Sequence, residues 1–206
     1  MARPANVDAA VTRERILDAA LDLFAEKGFY GTTMRQIGAA AGITGGALYH
    51  HFDSKEAILL TLLERTKTLV LSRAPLQVMT GRLPPLPALF KRMTEGMLDV
   101  FDLPVHKKFF RIVMADGLRL MQQGTLTHAI PLEPRAAIAG LMQRLMDERR
   151  IRKTSVDSAA LAFLGPLLAY RQFCMVWGVP FYERPMSRVA FVKGHVENLV
   201  RALSPR

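Results

Sequence analysis

Half of the 206 residues are apolar and 22% are charged, which excludes a disordered segment and leaves room for one domain and a small second one. The lone cysteine, Cys174, excludes an internal disulfide and a cysteine-rich zinc site, as expected of a protein of the reducing cytoplasm. The net charge of +10 implies either a polyanionic partner or plain solubility. Up to Lys55, however, Arg3, Arg13, Arg15, Lys27, Arg35 and Lys55 are matched one for one by Asp8, Glu14, Asp18, Asp22, Glu26 and Asp53, so the excess lies wholly beyond.

Residues 1–11 read as a flexible polar arm without the apolar core of a signal peptide. Thr12 is placed to cap a helix that carries Ile16, Leu17, Ala20, Leu21 and Phe24 on one face and mostly charged residues opposite; Gly28 ends it. Phe29 and Tyr30, before Gly31, form an aromatic turn suited to packing this helix against the next.

Thr33–Phe52 carries two short helical patterns meeting at a tight break, the pattern of a helix-turn-helix. Thr33 with Gln36 makes a capping box, Ile37, Ala40 and Ala41 form a small-residue inner face, and Gly42 stands where a helix stops in positive φ. Ile43 fills the gap and Thr44 caps the second helix, whose first turn is Gly45, Gly46 and Ala47. Two glycines weaken that helix by roughly 1 kcal/mol each against alanine, and they leave its backbone bare. A bare helix N-terminus can approach phosphates or base edges closely, and Tyr49, His50 and His51 can each donate a hydrogen bond to phosphate. Leu48 and Phe52, four apart, anchor the helix from beneath.

Asp53 and Glu56 read as a second capping box opening a long helix to about Leu71. A proline-rich loop follows within Arg73–Pro87. The next helix, from Leu86 or Ala88 to Phe101, puts Phe90, Met93, Met97, Leu98 and Phe101 on one face. One from Val105 to Gln123 has Phe109, Phe110, Val113, Met114, Leu118 and Met121 inward and Lys107, Lys108, Arg111 and Arg119 outward. After a loop over Thr125–Pro134, a helix spans Arg135–Arg150. Ser155 or Asp157 caps the most apolar helix, which runs to Trp177, and an amphipathic helix covers Met186–Leu203. The apolar run Ala159–Phe181 is broken by Gly165, Pro166, Arg171 and Gln172. Its longest uninterrupted part is about half of the ~20 residues a membrane span needs, so a helix packed on more than one side is expected instead.

VTRERILDAALDLFAEKGFYGTT, the central stretch and DSKEAILLTLLERT together resemble the N-terminal DNA-binding domain of TetR-family transcriptional repressors, over Thr12 to Leu63; GFYGTT, LYHHF and DSKE are its most specific segments. The resemblance implies an all-α chain in three parts: the arm, a helix-turn-helix domain over 12–55 with its motif at 33–52, and a ligand-binding and dimerisation domain over 56–206. It implies DNA contacts from Thr33, Arg35, Thr44, Gly45, Gly46, Ala47, Tyr49, His50, His51 and Lys55. Arg35 is best suited to grip a base edge, because side chains that read bases in many relatives are missing at Gly45 and Gly46. It also implies a connector role for Asp53–Arg73, and a homodimer through the last two helices on a palindromic double-stranded operator, which a two-fold pair of recognition helices demands.

No GxGxxG, P-loop, HExxH or GxSxG pattern is present, and His50 and His51, neighbours on one helix, diverge by ~100° and cannot jointly hold a metal. No catalytic residue, metal or cofactor is therefore expected, although Asp99 and Asp102 stand at helical spacing and leave an enzyme with a DNA-binding appendage as a rival. Eleven methionines give adaptable apolar lining. Together with the resemblance, they make Met93, Met97, Phe101, Phe110, Met114, Phe163, Leu167, Tyr170 and Trp177 the candidate lining for a small apolar ligand. A regulator that responds to no ligand is the other alternative.

Overall fold

The computed structural model describes residues 5–73, 82–126, 132–176 and 186–205, and these contain helices and no strand. They group into two compact units, Met1–Thr68 with Pro104–Ile130 and Leu69–Leu103 with Pro131–Arg206. This division by contacts falls elsewhere than the functional boundary drawn at residue 55.

The first unit opens with α1 (Ala5–Lys27), which begins seven residues before the expected Thr12 cap, so the arm reading fails from Ala5 onward. Ala5, Ala9 and Ala10 favour the helix, and Asp8 in its first turn suits the positive dipole end. Thr12 lies inside the helix with its hydroxyl donating to the Asp8 carbonyl at 2.8 Å. Gly28 ends α1 at φ 76°. Next come α2 (Met34–Ala40), α3 (Gly45–Tyr49) and α4 (Lys55–Arg73). Ser54, not Asp53, caps α4, its hydroxyl accepting the Ala57 N–H at 3.1 Å.

α6 (Pro104–Gln122) belongs to this first unit and packs on α1, with Phe109, Ile112, Gly117 and Leu120 buried. The expected phase holds only in part: Phe109 is buried and Lys107, Arg111 and Arg119 are exposed, as expected, but the other inward assignments fail. Met114 and Met121 are exposed, Leu118 is 73% exposed, and Phe110 and Val113 are half-buried. α6 has apolar residues on more than one side, and the side facing α1 is selected by partners the periodicity cannot show. Lys108, expected outward, pairs with Asp22 of α1.

In the second unit α5 (Leu86–Asp102), α7 (Leu132–Asp147), α8 (Val156–Tyr170) and α9 (Arg188–Leu203) enclose one core in which Phe90 and Phe163 are fully buried. Ser155 and Ser187 cap α8 and α9. α8 runs on as a π-helical turn over Arg171–Val176 and exposes Leu161 and Leu168 while burying Phe163 and Leu167, so its apolar surface does cover more than one side. Trp177 lies outside the described residues.

α7 stops at Asp147 in a Schellman turn. The Arg150 N–H bonds the Leu145 carbonyl at 2.8 Å and the Arg149 N–H bonds Met146 at 3.0 Å, which puts Arg149 at φ 55° where glycine is usual. Arg149→Gly is expected to stabilise the chain by about 1 kcal/mol, read as a higher denaturation midpoint; a lower midpoint would show that the Arg149 side chain contributes more than the strained backbone costs.

Candidate nucleic-acid interface

The helix-turn-helix is built on local capping. Thr33 Oγ1 accepts the Gln36 N–H at 3.3 Å while Gln36 Oε1 accepts the Thr33 N–H at 2.8 Å, and Thr44 Oγ1 accepts the Ala47 N–H at 3.2 Å. The inner face of α2 is Ile37, Gly38 and Ala41, whereas Ala40, expected there, is exposed. Gly38 is the crossing point: a Cβ there would stand 3.4 Å from the Ile43 carbonyl and 3.7 Å from Leu48 Cδ2, in ordinary contact, so alanine fits and only a longer side chain would press α3 away from α2. Gly42 sits at φ 67°, as the break requires.

Leu48 is 0% exposed beneath α3, and Phe52 is buried beside it. The opposite side of α3 presents Gly45, Gly46 and Tyr49, the last 56% exposed. A Cβ at Gly45 or Gly46 would meet nothing within 4 Å, so no contact inside the fold calls for either glycine. Their effect is to bare the backbone outward. Arg35, Thr33, Thr44 and His50 are exposed, and Ala47 and His51 are half-buried.

Lys55 is placed differently from the phosphate-binding role expected of it. Its Nζ donates to the Phe29 carbonyl at 2.7 Å and the Thr32 carbonyl at 2.9 Å and lies 4.3 Å from the Phe29 ring centroid. Desolvation lowers its pKa against the opposing pull of Glu56 and Asp116. Two of its three donors thus tie α4 to the turn before α2. Thr33, Tyr49 and Lys55 nevertheless line one hollow of about 390 Å³.

Two braces from α1 escaped the sequence reading. Arg13 donates to the His51 carbonyl at 3.1 Å and stacks 4.1 Å over Phe52, and Arg15 donates to the Ala41 carbonyl. Both looked like ordinary solvent-facing charges, and no local signal distinguishes them.

Eight of the nine apolar candidates lie among the described residues, and they divide between the units. Met93, Met97, Phe101, Phe163 and Leu167 sit in the second unit's core with Tyr170 packed against it, whereas Phe110 and Met114 are on α6 of the first. A cleft of about 450 Å³ between α8 and α9 is lined by Tyr170, together with Phe173, Met186, Phe191 and His195, which the sequence reading missed. Tyr170 stacks on Phe191 at 4.2 Å, and His195 lies parallel to Phe191 at 5.5 Å. His195 is 5% exposed, and burial pushes its pKa down to about 4 despite a hydrogen bond to the Phe163 backbone. The carboxylates of Asp99 and Asp102 both accept from Arg188, the latter at 3.1 Å, so the pair is occupied in joining α5 to α9. Among the described residues no group of His, Cys, Asp and Glu could hold a metal ion, and no helix is long and apolar enough to cross a membrane.

The profile of the family described as "Bacterial regulatory proteins, tetR family" matches residues 16–62. The chain is 35% identical over 120 residues to the HTH-type transcriptional regulator SrpR of Pseudomonas putida, covering 57% of this chain and 53% of SrpR, about half of that protein's length. The same identity over 120 residues relates it to the uncharacterized HTH-type transcriptional regulator TtgW, also of Pseudomonas putida, here covering 57% of this chain and 84% of TtgW. The fold of the Flavonoid-responsive Regulator FrrA superposes with a TM-score of 0.71 at 21% identity, covering 96% of this chain and 99% of FrrA.

Proposed function

Because the chain belongs to the TetR family of bacterial transcriptional regulators, we propose that it is a cytoplasmic homodimeric repressor released from a palindromic operator by a small apolar effector. The observation that carries the DNA half of this reading is the outward face of α3. Its first turn is bare at Gly45 and Gly46, Tyr49, His50 and Arg35 are exposed beside it, and Leu48 holds it to the domain from below. In each copy that turn enters a major groove. Thr33, Thr44, Tyr49, His50 and His51 contact phosphates and Arg35 reads a base edge. Lys55 has one donor left for phosphate and acts chiefly by holding the turn at 29–32 in place.

Exposed Leu161, Leu168 and Val189 on α8 and α9 favour a second copy against those helices. The effector lodges among Met93, Met97, Phe101, Phe163, Leu167 and Tyr170, where flexible methionines can repack around it. Binding favours a conformer in which α4 spreads the two recognition helices beyond the ~34 Å spacing of successive major grooves, and it can do so only through differential affinity for the two conformers.

A gel-shift titration against the DNA upstream of the protein's own gene, beside a random duplex, tests this reading. Arg35→Ala should narrow the gap between operator and random DNA by about 1–3 kcal/mol, whereas Tyr49→Ala should weaken all duplexes alike. Equal losses in the two variants on every duplex would contradict the assigned roles.

A further inference from the structure

The turn Gly28–Thr32 is the point where the end of α1, the start of α2 and the first residue of α4 meet. Thr32 is 1% exposed, and its hydroxyl donates to the Gly28 carbonyl at 2.8 Å. Two side chains of α6, Asp116 and Arg119, and Gln123 just beyond its end converge on this turn. Asp116 Oδ2 accepts the Phe29 N–H at 2.6 Å. It stands 2.9 Å from where a Cβ on Gly28 would be, so a side chain there would displace the Asp116 carboxylate, while the positive φ itself favours glycine. The Arg119 guanidinium lies 3.8 Å over the Tyr30 ring, and the Tyr30 hydroxyl donates to Gln123 Oε1. Lys55 holds the other side of the same residue through the Phe29 carbonyl. Phe29 is therefore gripped by α6 at its N–H and by α4 at its carbonyl.

We propose that Asp116 is a positioning residue for DNA binding. Through the Phe29 N–H it sets the turn from which α2 departs, and with it the seat of α3 relative to α4.

The proposal rests on the DNA-binding reading, and the two are tested apart. Operator and random-duplex affinities are measured by fluorescence anisotropy for the wild type, Asp116→Ala and Asp116→Asn, alongside amide hydrogen exchange at Phe29. Asp116→Ala should accelerate Phe29 exchange and weaken operator binding roughly tenfold while random-duplex affinity stays within about twofold. Asp116→Asn, which keeps an acceptor oxygen, should recover most of the loss. Faster Phe29 exchange with an unchanged operator-to-random ratio overturns the proposal and leaves a plain packing contact. So does unchanged Phe29 exchange. If Asp116→Ala does not fold, the pair Arg119→Met and Gln123→Leu loosens the same turn and is judged by the same two readouts. A wild type that binds no duplex overturns the DNA-binding reading itself, and this proposal with it.

Discussion

Leu48→Ala is expected to destabilise the first unit by about 3 kcal/mol and to abolish operator binding at micromolar concentrations. The side chain is 0% exposed, and its Cδ2 lies against Gly38, where α2 and α3 cross most closely. α3 is only five residues long, far below the length at which a helix holds itself in water, so its orientation depends on that anchor. Truncation leaves a cavity that neighbouring backbone cannot fill. Leu118→Ala on α6 is the matched control: at 73% exposure it should change stability by less than about 0.5 kcal/mol, although helical periodicity alone would class it with the core. Thermal denaturation of both variants checks the pair. A Leu118 loss as large as that of Leu48 would mean that α6 docks on its other side.

The second large effect is acid lability of the second unit. His195 is packed between Phe163 and Phe191 with its Nε2 lacking a hydrogen-bond partner, and burial lowers its pKa to about 4. In the unfolded chain the ring titrates near its ordinary ~6.5, so on acidification the unfolded state takes up the proton first. Stability is therefore complete above about pH 6.5 and falls as the pH drops toward 4, by up to ~3 kcal/mol from this group. Carboxylates contribute to acid unfolding as well, so the informative quantity is the difference between wild type and His195→Leu. That difference should change steadily between pH 7 and pH 4, the wild type losing more stability than the variant, because only the wild type carries this group. Parallel pH profiles would show that His195 titrates normally in the fold.

Signals that act within a few residues were legible in the sequence. Thr33, Thr44 and Ser155 cap their helices, Gly28 and Gly42 end theirs in positive φ, and Leu48 with Phe52 forms the anchor beneath α3. These features depend on hydrogen bonds three or four residues apart, which composition and spacing encode directly. What escaped was decided by partners distant along the chain. The phase of α6 follows from its contact with α1, including the pairing of Lys108 with Asp22, and no periodicity within residues 104–122 could choose between its two apolar sides. Lys55 looked like a free cation because its acceptors, the carbonyls of Phe29 and Thr32, belong to an aromatic turn met only after folding. The apolar stripe was read as one lining because methionine and phenylalanine look alike on every helix; the fold divides it between two units.

The most direct test of the central claim, two copies docking paired recognition helices on duplex DNA, is the stoichiometry and affinity of binding to palindromic duplexes whose half-site spacing is varied. Two chains per duplex are expected, with half-site centres one helical turn apart, about 10 base pairs. Affinity should fall at least roughly tenfold when about five more base pairs turn the half-sites to opposite faces of the helix. One chain per duplex, or an affinity indifferent to spacing, would contradict the account.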